Sequence, residues 1–252
     1  MQSVPLTPDD RSRYEWQLGA AGFDEASQAR LKGATALISR IGGVGGTLAL
    51  HLAAAGIGKL ILAHAGNLRP SDLNRQLLMS HSALGSSRID QAVRKLHDLN
   101  PRLQIDAVAD NLSAENAPRL VAQADVVASC APLFEERLAM NRAAVALGKP
   151  LVDCAMYEME MQLLTVRPGQ TACLHCLYST PPTAWKREFP VFGAVAGTVA
   201  SLGALEVIKL LTGVGKPLDQ YMLIGDLASM TFRKIQVNRD PNCPTCRMSA
   251  AR

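Results

Sequence analysis

The chain has 252 residues, of which 48% are hydrophobic, 19% charged and 4% aromatic, with a formal net charge of +4. That is length enough for one large or two small domains with a sizeable core, and it is too apolar and too weakly charged for disorder. No dense Lys/Arg run accompanies the mild basicity, which argues against nucleic acid, and the acid-containing opening MQSVPLTPDDRSRYEWQ does not read as a secretion signal.

Thr7-Pro8-Asp9-Asp10 offers a hydroxyl cap, a proline at the first helical position and acids in the first turn, so a polar helical arm is predicted to about Lys32. Thr35–Ile41 reads as a strand that enters Gly42-Gly43-Val44-Gly45-Gly46 and then the helical stretch TLALHLAAAG. The alternation continues with a strand over 59–64, a long polar loop through Arg75-Gln76, and a helix whose Ile89, Ala92, Val93 and Leu96 share one face. Strands at 103–109, 125–131 and 150–156 are separated by helices near 114–122 and 134–147. Strands alternating with helices imply a parallel sheet. The predicted fold is therefore α/β: a Rossmann-like doubly wound, mainly parallel sheet.

After Met156 the pattern changes. A strand at 161–169 is followed by Pro181-Pro182 and a segment up to Phe192 that reads as a mobile loop, then a long apolar helix over Gly193–Gly213. The uncharged run Phe189 to Leu205 is 17 residues, borderline for a membrane span and better suited to a buried helix or a dimer interface. Residues 221–237 read as a strand pair, which makes the end of the chain an antiparallel extension. The expected organisation is a single domain over 1–252: an arm (1–32), a nucleotide-binding part (33–156) and a C-terminal part (157–252). No membrane contact is expected, and the chain reads as cytoplasmic.

Six cysteines divide by spacing. Cys173-Leu-His-Cys176 and Cys243-Pro-Thr-Cys246 are two C-x-x-C pairs with 66 residues between them, while Cys130 and Cys154 stand alone in apolar surroundings. Without a secretion signal, such pairs favour a metal over disulfides. Four thiolates on two tight turns suit a structural, tetrahedral zinc; the competing reading is two unrelated pairs of buried thiols. His175 can replace a ligand, but four sulfurs suffice.

A strand, a glycine-rich turn and a helix start together present backbone N–H groups to phosphate; the competing reading is close helix–strand packing. A nicotinamide cofactor is disfavoured, because the second strand ends in His64-Ala65-Gly66-Asn67 without the expected acid and Arg40 stands where the first glycine of G-x-G-x-x-G belongs.

With the glycine loop Gly42–Gly45, Asp72-Leu73-Asn74-Arg75-Gln76, the helix Ala204–Leu211 and both C-x-x-C pairs, the chain resembles the MoeB/ThiF/HesA family along nearly its whole length. LILAHAGNLRPSDLNRQLLM resembles the HesA branch in particular, which is associated with nitrogen-fixing gene clusters and metal-cofactor supply. The resemblance implies a homodimer with a structural zinc. It also implies an adenylyltransferase that uses ATP and Mg²⁺ to activate the C-terminal carboxylate of a ubiquitin-like sulfur-carrier protein. By the same resemblance Gly42, Gly43, Gly45, Asn74, Arg75, Gln76 and Arg88 are candidate nucleotide contacts, with Arg75 and Arg137 as candidate catalytic residues.

Several family positions are exchanged. Trp16 replaces an arginine, Arg40 a glycine, His64 the ribose-binding acid and Arg88 a lysine, while Pro132 replaces the acid expected to hold Mg²⁺. Asp72 stands for the first asparagine of the family's S-N-L-N-R-Q motif. Losing one preorganised polar group typically costs about 3–4 kcal/mol of transition-state stabilisation. Two readings follow: an adenylyltransferase with a divergent ATP site, or a catalytically degenerate relative that acts as a binding module or scaffold. Glu135 or Glu136 can substitute for the missing acid, although solvated helix-face acids are the more ordinary reading. Trp16 suits a dimer interface better than a nucleobase stack. Arg40 can pair with phosphate or plug the pocket, and Met156, Met159 and Met161 suit core packing better than a soft-metal role.

Overall fold

A computed structural model of the chain describes residues 3–182 and 188–247. The N-terminal arm is α1 (Pro8–Arg13), α2 (Glu15–Leu18) and α3 (Glu25–Lys32). Its expected start is a full capping box: Thr7 Oγ1 accepts from the Asp10 N–H at 3.2 Å and Asp10 Oδ2 accepts from the Thr7 N–H at 2.8 Å.

Next come β1 (Thr35–Ser39), α4 (Gly43–Ala55), β2 (Lys59–Ala63), α5 (Arg88–Leu99) and β3 (Gln104–Val108), followed by α6 (Ala117–Ala122), β4 (Val126–Ser129), α7 (Phe134–Leu147) and β5 (Leu151–Tyr157). β1 stops two residues before the predicted Ile41, because Arg40 has φ 57° and cannot continue an extended strand. The predicted helix near 114 begins at Ala117, because Ser113 and Asn116 bond to each other in a turn instead. The remaining elements are β6 (Glu160–Val166), α8 (Leu174–Leu177), α9 (Gly193–Thr212), β7 (Tyr221–Asp226), β8 (Thr231–Gln236) and α10 (Pro244–Arg247). The loop expected up to Phe192 lies partly outside the described residues, at 183–187.

The eight strands form one sheet in the order β3-β2-β1-β4-β5-β6-β7-β8. β3 to β5 pair in parallel, and β5 to β8 pair antiparallel. The chain moves outward from β1 to β3 and then returns to β4 on the other side of β1. The turns that follow β1 and β4 therefore leave in opposite directions, opening a crevice at the strand C-termini.

Both sheet faces are covered. One apolar cluster joins α4, α5 and α9 to the sheet and the other joins α6 and α7 to it. This is why β1 and β4 are apolar almost throughout. α9 is long and apolar enough to cross a membrane by composition. Here it lies against α4, β5 and β6 and buries Val195, Val199, Ala200 and Val207, while Leu205 on the same helix is exposed.

Gly45 sits in the first turn of α4 against the end of β1. A Cβ there would stand 2.4 Å from the Arg40 carbonyl oxygen and 2.9 Å from that of Ser39. Gly45→Ala is therefore expected to destabilise the fold by about 1–3 kcal/mol, read as a lower urea midpoint at unchanged slope.

Candidate functional site

The crevice between β1 and β4 opens into a cavity of about 640 Å³, within the roughly 300–1,000 Å³ typical of small-molecule sites. One end is Gly42, Gly43 and Val44 at the start of α4. Gly42 caps that 13-residue helix without a side-chain bond, so the N–H groups of the first turn lack intrahelical acceptors and, with the helix dipole, favour an anion. The wall also takes in Met156 and Tyr157 of β5, Glu160 and Gln162 of β6, Tyr178 and Phe189, so polar and apolar side chains are mixed on that side.

Five arginines line it: Arg40, Arg69, Arg75, Arg88 and Arg137. Three of them are buried and held by carboxylates. Arg40 Nε donates to Glu136 Oε2 at 2.8 Å and its Nη2 donates to the other oxygen of the same carboxylate. Arg88 donates from Nε (3.1 Å) and Nη2 (2.6 Å) to Asp72 Oδ2. Arg137 donates from Nε (3.1 Å) and Nη2 (2.6 Å) to the two oxygens of Asp153, while its guanidinium lies 4.7 Å from the centre of the Phe134 ring and 5.3 Å from that of Tyr178. Arg69 is exposed, and Arg75 is half-buried, bonded to the Ser71 carbonyl and to Asn74 Oδ1, and 3.5 Å from Asp72.

These pairs set the ionisation of the site. Burial pushes Asp72 upward, but the Arg69 N–H and the Arg88 guanidinium outweigh it and hold the carboxyl below its usual range. Burial would lower Arg137, and Asp153 more than reverses that. Burial, then the positive charges of Arg88 and Arg40, pulls the His64 imidazole from its ordinary 6.5 to about 4, so it is neutral near pH 7. His64 Nδ1 and Gln76 Oε1 are buried without a hydrogen-bond partner among the described residues, and both residues line the cavity. An unfilled buried polar atom costs about 1–3 kcal/mol, a cost that a polar ligand would offset.

Several sequence-level expectations are corrected. Gly42, Gly43, Arg75, Gln76, Arg88 and Arg137 do line the cavity, but Gly45 and Asn74 do not. Gly45 serves helix–strand packing, and Asn74 is exposed, with its side-chain oxygen bonded to Arg75. Glu135 is exposed as expected of a helix-face acid, whereas Glu136 is buried in the pair with Arg40. Trp16 is 92% exposed. Met156 and Met161 line the cavity and Met159 packs beside the core. Cys130 and Cys154 are not isolated: their side chains interact and both line the cavity.

Sequence reading missed Asp153, which fixes Arg137 and accepts from Ser129 Oγ at 2.8 Å. The available signal was a lone acid in an otherwise apolar strand. It also missed that Asp72 and Arg88 are each other's partner.

On the α7 side of the sheet, Cys173, Cys176, Cys243 and Cys246 converge, with all four sulfurs within 4.8 Å of one another. The separations Cys173–Cys176, Cys173–Cys243 and Cys176–Cys246 are 3.9, 3.7 and 3.5 Å. A tetrahedral ion with metal–sulfur bonds of about 2.3 Å needs sulfurs about 3.8 Å apart, so the four residues fit such an ion. The magnesium implied by the family resemblance fits less well. Pro132 offers no oxygen ligand from its side chain, and Glu136, one helical turn on, is engaged by Arg40.

A ThiF family model matches residues 14–245. The chain is 47% identical to "Protein HesA" of Leptolyngbya boryana over 243 residues, covering 96% of this chain and 88% of that protein. It is 33% identical to the "Sulfur carrier protein adenylyltransferase" of Thermus thermophilus over 249 residues, covering 95% of this chain and 92% of that protein. Among solved structures it is similar in fold to E. coli MccB with ATP, at a TM-score of 0.81 and 22% identity, covering 94% of this chain and 72% of that one.

Two measurements check the site. Cys243→Ser should lose bound metal and a large part of the stability, since structural zinc sites contribute on the order of 10 kcal/mol; metal analysis and thermal unfolding read both. Because the His64 value is lower folded than unfolded, its contribution to stability is full above about pH 6.5 and is lost as pH falls towards about 4. His64→Asn should flatten that part of the stability–pH profile, measured by urea unfolding across the same range.

Proposed function

The chain belongs to the ThiF family, and on that premise we propose that it is an ATP-dependent adenylyltransferase acting on the C-terminal carboxylate of a ubiquitin-like, sulfur-carrier type of protein. The observation that carries this reading is the cavity at the switch between β1 and β4. There the start of α4, which has no side-chain cap, Arg75 and two buried atoms without a hydrogen-bond partner among the described residues, His64 Nδ1 and Gln76 Oε1, border one space. The glycine turn and the arginines suit a triphosphate, and an extended peptide tail would lie along the wall that β5 and β6 provide. The named activity of the Thermus relative supports the same reading.

In this reaction a carboxylate oxygen bonds to the α-phosphorus while the bond to the β-phosphate oxygen breaks, and pyrophosphate leaves with that electron pair. The N–H groups of Gly43 and Val44 and the Arg75 guanidinium would bear the growing charge. Arg137, locked by Asp153 and two rings, would position a substrate group rather than move. Zinc is the ion proposed for the four cysteines, a choice consistent with a reducing compartment such as the cytoplasm. Exposed Trp16, Leu77, Phe192 and Leu205 are apolar surface that a homodimer would cover.

A second reading, a binding module without turnover, is favoured by the Arg40–Glu136 pair. It neutralises a cation beside the glycine turn and occupies the acid nearest the expected magnesium position. Pyrophosphate exchange into ATP, with candidate carrier proteins present, separates the two. Exchange is expected, and Arg75→Ala should lower it by about 10²-fold. No exchange with any carrier, together with nucleotide binding by calorimetry, would leave the binding module.

A further inference from the structure

Four sulfur-bearing side chains that the proposed chemistry does not use are gathered on one patch of the cavity wall. Cys154 and Met156 are two residues apart on β5 and so share a face of the sheet. Met161 on β6 is directly opposite Met156 in the antiparallel register. Ser129 pairs with Asp153 in the parallel register of β4 and β5, which brings Cys130, the next residue, alongside Cys154. All four are buried, belong to one apolar cluster and line the cavity.

Backbone and packing hold them there. The Cys130 N–H donates to Ser39 Oγ at 2.9 Å, anchoring the end of β4 to β1. The Cys154 sulfur sits against Gly203 of α9, where a Cβ would come within 2.3 Å of it, so only a glycine on that helix leaves the sulfur its place. The contact with Cys130, followed by burial, holds the Cys154 thiol well above its usual range. The Cys154 thiol is accordingly held in its protonated form when no ligand is present.

Sulfur type decides what such a patch can bind. Two thiolates with thioether neighbours suit a soft ion that accepts low coordination, whereas zinc, of borderline softness, favours the four-thiolate centre on the opposite face of the sheet. Methionine adds a polarizable donor without charge, so binding a monovalent ion to two thiolates leaves a single net negative charge. We propose that Cys130, Cys154, Met156 and Met161 form a binding site for a soft monovalent d¹⁰ metal ion of the Cu(I) class, held by two thiolates and at least one thioether. Each ion bound releases two protons to solvent, and the ion arrives already monovalent, so no electron transfer is needed. The site stands on its own observations and does not depend on whether the cavity takes nucleotide.

The test uses the whole chain with zinc bound, titrated anaerobically with Cu(I) against a chromophoric Cu(I) chelator, with zinc release followed in parallel. One Cu(I) per chain is expected with zinc retained, and that ion should protect Cys130 and Cys154 from alkylation as read by peptide mass spectrometry. The double variant Cys130→Ser/Cys154→Ser should lose this equivalent. Met156→Leu/Met161→Leu, which keeps volume and apolarity, should weaken it by about tenfold or more and serves as the deciding variant if the serine pair does not fold. Uptake of Cu(I) only in exchange for zinc, equal uptake by the variants, or alkylation of Cys130 and Cys154 unaffected by Cu(I) would each overturn the site.

Discussion

The cavity depends on buried arginines that are not left unpaired. A guanidinium removed from water is tolerable only with a carboxylate in good geometry, and removing one partner of such a pair typically costs about 3–5 kcal/mol. Arg40–Glu136, Arg88–Asp72 and Arg137–Asp153 meet that demand around a single space. Each pair also joins two parts of the wall: the turn after β1 to α7, the long loop after β2 to α5, and α7 to β5. The same charges that close the walls leave little uncompensated positive potential inside. Arg69, Arg75 and the start of α4 therefore remain the principal attraction for an anion.

Charge also links residues far apart in the chain. Asp72 and Arg88 form one buried pair that also collects the Arg69 N–H and the Gln76 amide. Arg40 brings a charge into the glycine turn, and Glu136 answers it from the first turn of α7. His64 lies between Arg40 and Arg88 in the sense of charge, and both favour its neutral form.

Sulfur is divided by the sheet. The four-cysteine centre belongs to the apolar cluster with α6 and α7, and it ties the turn after β6 to the end of the chain beyond β8. The two remaining cysteines and the two methionines belong to the cluster with α4 and α9, at the cavity. The first group is dense in thiolate and suits a structural ion. The second mixes thiol and thioether where a ligand can approach.

By itself the sequence determined the α/β alternation, the change to antiparallel strands after Met156, the strand–glycine–helix turn and the two C-x-x-C units. These are local: hydrophobic period, turn chemistry and short spacing dictate them, and residues such as Thr7, Ile89 and Cys173 carry the signal within a few neighbours. Only the tertiary structure decided that Arg40 faces Glu136, 96 residues away, that Arg88 meets Asp72, that Asp153 holds Arg137, and that Cys130 lies beside Cys154. It also moved Gly45 and Asn74 out of the cavity wall. Those outcomes depend on which strand ends the crossovers bring together, and ion pairing acts through space, so no pattern along the chain encodes its partner.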